Sequence, residues 1–133
     1  MQRAARGMRA LELRFDTIIS SPYLRACQTA QIVAKTYKIK NYKIHLTNHM
    51  LPPASIKELL REVTAHFPQS QHILFVGHEP HLTELVSSLL KSKDALPINF
   101  KKGALCSLTL TQNNAALNWI LTSTQLGLLK PRQ

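Results

Sequence analysis

The stretch "HILFVGHEPHLTELV", residues 72–86, constrains the fold of this chain more than any other. Ile73-Leu74-Phe75-Val76 is a continuous apolar run rich in β-branched and aromatic side chains. It suits a strand covered on both faces, as in a parallel sheet. Gly77 frees the backbone for a sharp exit. Pro80 fits a first helical position, where its missing N–H would have had no partner. Leu82, Leu85, Val86, Leu89 and Leu90 then recur at i, i+3, i+4, i+7 and i+8, the stripe of an amphipathic helix. The unit reads strand–turn–helix, with His78 on the turn at the strand's carboxyl end. Open α/β sheets bind ligands at that end, and a helix N-terminus just beyond favours an anion. His78 is therefore a candidate binding residue, although an isolated Gly-His pair serves equally well as a tight turn.

"FDTIISSPYLRACQTAQIVAKTY", residues 15–37, repeats the arrangement. Phe15 to Ile19 predicts a strand, Ser20-Ser21-Pro22 a turn, and a helix follows with Ser21 as its N-cap and Pro22 at its first position. Cys27, Ala30, Val33, Ala34 and Tyr37 supply the buried face of that helix. Residues 2–13 predict a further helix, and "KIHL" at 43–46 a short strand. In "SIKELLREVTAHF", Ser55 and Glu58 have the spacing of a capping box, and Ile56, Leu59, Leu60, Val63 and Phe67 line one face. "GALCSLTL" and "AALNWIL" flank "TQNNA", the pattern of a β-hairpin with an Asn-rich turn. The tail from about Thr122 is expected to be loosely ordered. The order αβα–β–αβα–ββ describes an alternating α/β domain with a parallel core and an antiparallel C-terminal edge. The two strand-to-helix turns each carry a potentially anion-directed residue, Arg25 in the first turn of one helix and His78 before the other. If the two strands are neighbours, both residues face one pocket.

Length and composition bound the function classes. At 133 residues the chain is one domain with room for a real core. No apolar run approaches the ~20 residues of a membrane span, and the N-terminus has no signal-type segment, so no membrane contact and a cytoplasmic location are expected. Cys27 and Cys106 form no disulfide framework, and the histidines at 45, 49, 66, 72, 78 and 81 show no metal-ligand spacing. No metal and no cofactor is expected. Seventeen Lys and Arg against seven Asp and Glu give 17 − 7 = +10, which favours anionic partners. The positive residues are dispersed, with only Lys101-Lys102 adjacent, and show no interleaved aromatic pattern of the kind single-strand binders use. Nucleic acid is not the expected partner.

"SSPYLRACQTA" (20–30) and "VGHEPHL" (76–82), in this order and separation, resemble two signatures of the histidine phosphatase superfamily. "LPPASIKELLREV" and "INFKKGALCSLTL" are similar to the small SixA-type phosphohistidine phosphatases, and the resemblance runs from about Arg3 to Trp119. It implies a three-layer αβα sandwich, phosphoglycerate-mutase-like, with a mostly parallel sheet. It also implies protein dephosphorylation by two-step hydrolysis through a phosphohistidine intermediate, without a metal. The partner implied is a phosphorylated protein carrying phosphohistidine, such as a phosphocarrier or signalling domain, and the pocket accepts phosphate or another oxyanion.

Arg25 matches the family's phosphate-clamping arginine; its planar, permanently charged fork can donate two parallel hydrogen bonds. His78 matches the second pocket histidine, which donates to the transferring phosphoryl group. Ser21 is a candidate phosphate donor as well as a cap. Glu79 is a candidate leaving-group acid or a helix-terminal charge, and Lys102, with Lys101, a candidate pocket rim. His81 reads as a helix-surface histidine. One departure stands out. The family's nucleophile lies in an Arg-His-Gly or Arg-His-Ala motif at the end of its first strand, and this sequence contains no Arg followed by His. The chain thus reads as one histidine-phosphatase-like domain over 1–133 without the family's first strand, and inactive as it stands. Such a loss is expected to leave an open sheet edge or a gap, inviting aggregation, swapping or insertion of another segment. The alternative reading is a non-catalytic phosphate- or phosphoprotein-binding form of the same fold.

Overall fold

β1 (Thr17–Ser20) is buried at all four positions and forms the middle of the parallel sheet. It pairs with β2 (Ile44–Leu46) on one side and β3 (Ile73–Val76) on the other, so that Ser20 lies opposite both Leu46 and Val76. The computed structural model that shows this describes residues 2–39 and 43–130. Successive side chains of a strand point to opposite faces, and β1 uses this fully. Ile18 joins Leu74 under α1 (Gln2–Ala10) and α2 (Leu24–Thr36), with Ala4, Ala5, Met8, Ala30, Val33 and Ala34. Ile19 faces the other way, toward Leu59 and Val63 of α3 (Ile56–His66), Leu85 of α4 (His81–Leu89), and Met50. Two apolar clusters on opposite faces of one sheet make three layers.

At the entrance of β1 the carboxylate of Asp16 accepts the backbone N–H groups of Gln71 (2.9 Å) and His72 (3.0 Å), together with the hydroxyls of Thr17 (3.0 Å) and Ser70. Burial pushes its pKa up, but these bonds outweigh that and hold it at about 2. They tie the first residues of β1 to the chain just before β3, which fixes the register of the pair.

The parallel core and the antiparallel C-terminal pair are as the sequence predicts. β4 (Leu105–Leu110) and β5 (Ala115–Leu121), however, form a two-stranded sheet of their own. Leu105 and Leu121 lean on the α1/α2 cluster. Among the described residues β3 pairs only with β1, so its outer edge has no strand partner there.

The chain end corrects the sequence reading. Residues 123–128 are not loose: Thr122 and Gln125 form a reciprocal capping box for α5 (Ser123–Leu128). Leu126 is 1% exposed and belongs to the α1/α2 cluster, so burial of one side chain orders the segment. Residues 131–133 of that tail lie outside the described residues. α1 and α5 cross closely at Gly7, where an added Cβ would fall 1.8 Å from the carbonyl oxygen of Leu126.

Gly7→Ala separates two effects of opposite sign. Helix propensity alone favours alanine by about 1 kcal/mol. The clash is with backbone, which cannot rotate away, and overpacking of this kind costs about 1–3 kcal/mol. The expected outcome is a net loss of stability in urea denaturation; a stabilised variant would contradict the α1–α5 crossing.

Candidate functional site

The two strand-to-helix units are immediate neighbours. Ser21 donates its backbone N–H to the Val76 carbonyl at 3.0 Å, extending the β1–β3 ladder one residue past the strands. The turns that follow therefore emerge side by side. The Ser21 hydroxyl oxygen and His78 Nε2 are 2.9 Å apart, and the Tyr23 ring leans on the imidazole with centroids 5.4 Å apart. Ser21 is not the N-cap of α2. That position is Tyr23, with no side-chain cap, and the Ser21 Oγ instead accepts the Tyr23 N–H at 3.1 Å. The helix begins at Leu24 rather than at Pro22, which leaves the serine hydroxyl outside its first turn and beside His78. The Cys27 thiol backs the same turn, donating toward the carbonyls of Ser21 (3.5 Å) and Pro22 (3.4 Å).

Both helices start at the carboxyl ends of adjacent parallel strands, so their positive ends lie at the same edge. They differ in what meets those ends. At α4 the Glu79 carboxylate accepts the Thr83 backbone N–H at 3.0 Å and the Thr83 hydroxyl. Both Glu79 oxygens are thus engaged by the first turn of α4. α2 has no side-chain cap and no acidic residue in its first turn, and Arg25 sits there, exposed. Tyr23 and Leu24, 59% and 72% exposed, border it. Lys102 lies exposed in the turn before β4, beside exposed Lys101, and makes no hydrogen bond to the Ser21–His78 pair. His81 differs from expectation. It is 1% exposed, held by the His49 carbonyl 2.8 Å from Nε2, because the first turn of α4 is covered by the chain following β2.

A second polar cluster has only a faint trace in the sequence. Glu62 on α3 receives the Thr47 hydroxyl (2.5 Å) and His49 Nδ1 (2.6 Å) on Oε1, and meets His45 Nε2 through Oε2. Burial pushes the Glu62 pKa up; the bonds from Thr47, His45 and His49, with the charge of His45, hold it at about 2. The only signal in the sequence was the spacing of His45 and His49 on one segment and of Glu58, Glu62 and His66 on one helix face. Nothing local shows that the two faces meet. Among the described residues no group of three or more His, Cys, Asp or Glu is placed to hold a metal ion, and no helix is long and apolar enough to cross a membrane.

No protein-family model matches the sequence, and no curated protein matches it. Solved structures do. The protein histidine phosphatase SixA, complexed with tungstate, superimposes with a TM-score of 0.80 at 22% identity, over 94% of this chain and 80% of that one. SixA of Agrobacterium tumefaciens gives 0.68 at 25% identity, over 91% and 79%. The alpha-ribazole phosphatase of Shigella flexneri gives 0.72 at 14% identity, over 92% and 81%. The chain has the αβα fold of these phosphatases, as its motifs imply.

Two outcomes follow from this geometry. Ser21→Ala removes one hydrogen bond to His78, and a net bond of this kind contributes about 1 kcal/mol. The His78 ring resonances should move in NMR while the fold persists; unmoved resonances would refute the contact. Asp16 and Glu62 both have depressed pKa values near 2. Each stabilises the fold above the ordinary carboxylate range near 4, and that contribution is lost as pH falls toward 2. Acid unfolding in that window should therefore be shallower in Asp16→Asn and Glu62→Gln than in the parent protein.

Proposed function

We propose that this chain is a phosphatase-fold protein of the histidine phosphatase superfamily, of the SixA phosphohistidine type, whose site holds a phosphoryl group between Arg25 and His78. The observation that carries the reading is the contact of Ser21 with His78 at the joined tips of β1 and β3, beside the uncapped start of α2. Phosphate is tetrahedral and spreads its charge over several oxygens. The first-turn N–H groups of α2 and the guanidinium of Arg25 offer donors from one side. The His78 imidazole offers a donor from the other, with its ring plane set by Ser21. The substrate class is phosphohistidine on a protein, whose imidazole leaving group departs more readily than an alkoxide. That suits a site where Glu79, the carboxylate that follows His78 in sequence, is engaged by Thr83.

One sequence fact favours a second reading for residues 1–133 taken alone. No arginine is followed by histidine, so the nucleophile motif of the resemblance has no counterpart. On that reading these residues bind the oxyanion without turning it over.

Inorganic phosphate, titrated into the full 133-residue chain and followed by NMR, tests the proposal. The Arg25 and His78 side-chain signals should shift together. Loss of one charge-assisted partner costs about 1.5–3 kcal/mol, so Arg25→Ala or His78→Ala should weaken binding by about 10- to 100-fold. Phosphate binding untouched by either change would overturn the site. On the second reading, release of phosphate from a phosphohistidine protein stays at background; hydrolysis abolished by His78→Ala would overturn that reading and keep the site.

A further inference from the structure

We infer that Glu62 is a positioning residue for the His78 site, acting through the Thr47–Met50 turn; its bearing on phosphate rests on the reading above. This turn is a short 3₁₀ segment, Asn48–Met50, following β2. Such segments have few bonds of their own and poor hydrogen-bond geometry. Here the turn is held from outside. Glu62, with its side chain 15% exposed, accepts from Thr47 and His49 and meets His45, three partners spread over five consecutive residues. The Thr47 Oγ in turn accepts the His49 backbone N–H at 3.1 Å, closing the cap.

The other side of the turn is the underside of the site, at three points. Thr47 donates its backbone N–H to the Ser20 carbonyl at 3.0 Å, one residue before Ser21. Met50 is fully buried beneath Gly77, one residue before His78, where an added Cβ would lie 2.7 Å from the methionine methyl. The His49 carbonyl holds the His81 ring at 2.8 Å, three residues after His78. Ser21 and His78 thus both rest on a segment whose own position is set by one carboxylate. Remove it and three polar groups lose their shared acceptor at once. The floor under Gly77 is then free to move, and with it the ring that Ser21 must meet at 2.9 Å.

The experiment uses the full chain and two readouts, the His78 ring resonances in NMR and titration with inorganic phosphate. Glu62→Ala should move the ring resonances, leave the far-UV circular dichroism unchanged, and weaken phosphate binding by about tenfold. Glu62→Gln keeps an acceptor oxygen for Thr47 and His49, and should recover binding to within about threefold of the parent. A merely structural role would lower stability in both variants without moving the ring. Ring resonances unmoved in a folded Glu62→Ala, with phosphate affinity within about twofold, would overturn the inference. If Glu62→Ala does not fold, Thr47→Val, which removes one of the donors, carries the same test: a smaller shift in the same direction supports the inference and unmoved resonances overturn it. If phosphate binds to none of these proteins, the functional reading fails, while the ring resonances still decide the role of Glu62.

Discussion

The parallel pairing of β1 with β3 is the constraint from which the rest of this molecule follows. Its register sets Ser20 against Val76, and the Ser21 N–H continues the ladder to the Val76 carbonyl. A slip of one residue would turn Ile18 and Ile19 onto each other's faces and exchange the two apolar clusters. It would also separate Ser21 from His78. Core packing and site geometry are therefore enforced by the same backbone bonds, and the Asp16 carboxylate sets that register at the opposite end of the strands. The same logic leaves one side unsatisfied. β3 is apolar at every position and reads as an interior strand, yet its outer edge has no partner among the described residues.

Legibility in the sequence tracks how local each cause is. The strand–turn–helix units were readable because burial on both faces needs a run such as "ILFV", and a helix packed on one side needs the stripe from Leu82 to Leu90. Ser55 was readable as a cap because its partner, the Glu58 N–H, is three residues away. Two misreadings came from the same source in reverse. Ser21 had the chemistry of an N-cap, but a hydroxyl has more than one possible partner, and the closer one was 57 residues away. His81 looked like a surface residue because its helix position alone cannot reveal the His49 carbonyl that covers it. α5 was missed because a six-residue helix has almost no periodicity to read; it exists through its capping box and the burial of Leu126. The Glu62 cluster joins β2, the turn after it and α3, so it depends wholly on how those elements pack.

With ten more basic than acidic groups, the chain could present positive charge anywhere. What gives the strand tips their character is the placement of the few carboxylates. Asp16 is at the far end of β1 and saturated by donors. Glu62 lies beneath the site rather than in it, with its oxygens filled by Thr47 and two histidines. Glu79 alone is adjacent to His78 in sequence, and a free carboxylate there would repel an oxyanion. Its engagement with Thr83 draws it back along α4, so its charge complements that helix's own positive end.

That division assigns different work to two helices of the same design. α4 spends its terminal field on Glu79, which makes it a rigid support for the His78 turn. α2 keeps its field unspent, with no cap and no acid in its first turn, next to a guanidinium. On the proposed reading, an anion at the strand tips meets α2 as its electrostatic partner and His78 as its geometric one. Arg25 is exposed, and among the described residues its guanidinium makes no hydrogen bond or ion pair, so its five N–H donors are open to such an anion. The preparation lies instead in what surrounds it, namely a turn locked by Ser20, Ser21 and Cys27, and an imidazole whose ring already has one nitrogen occupied.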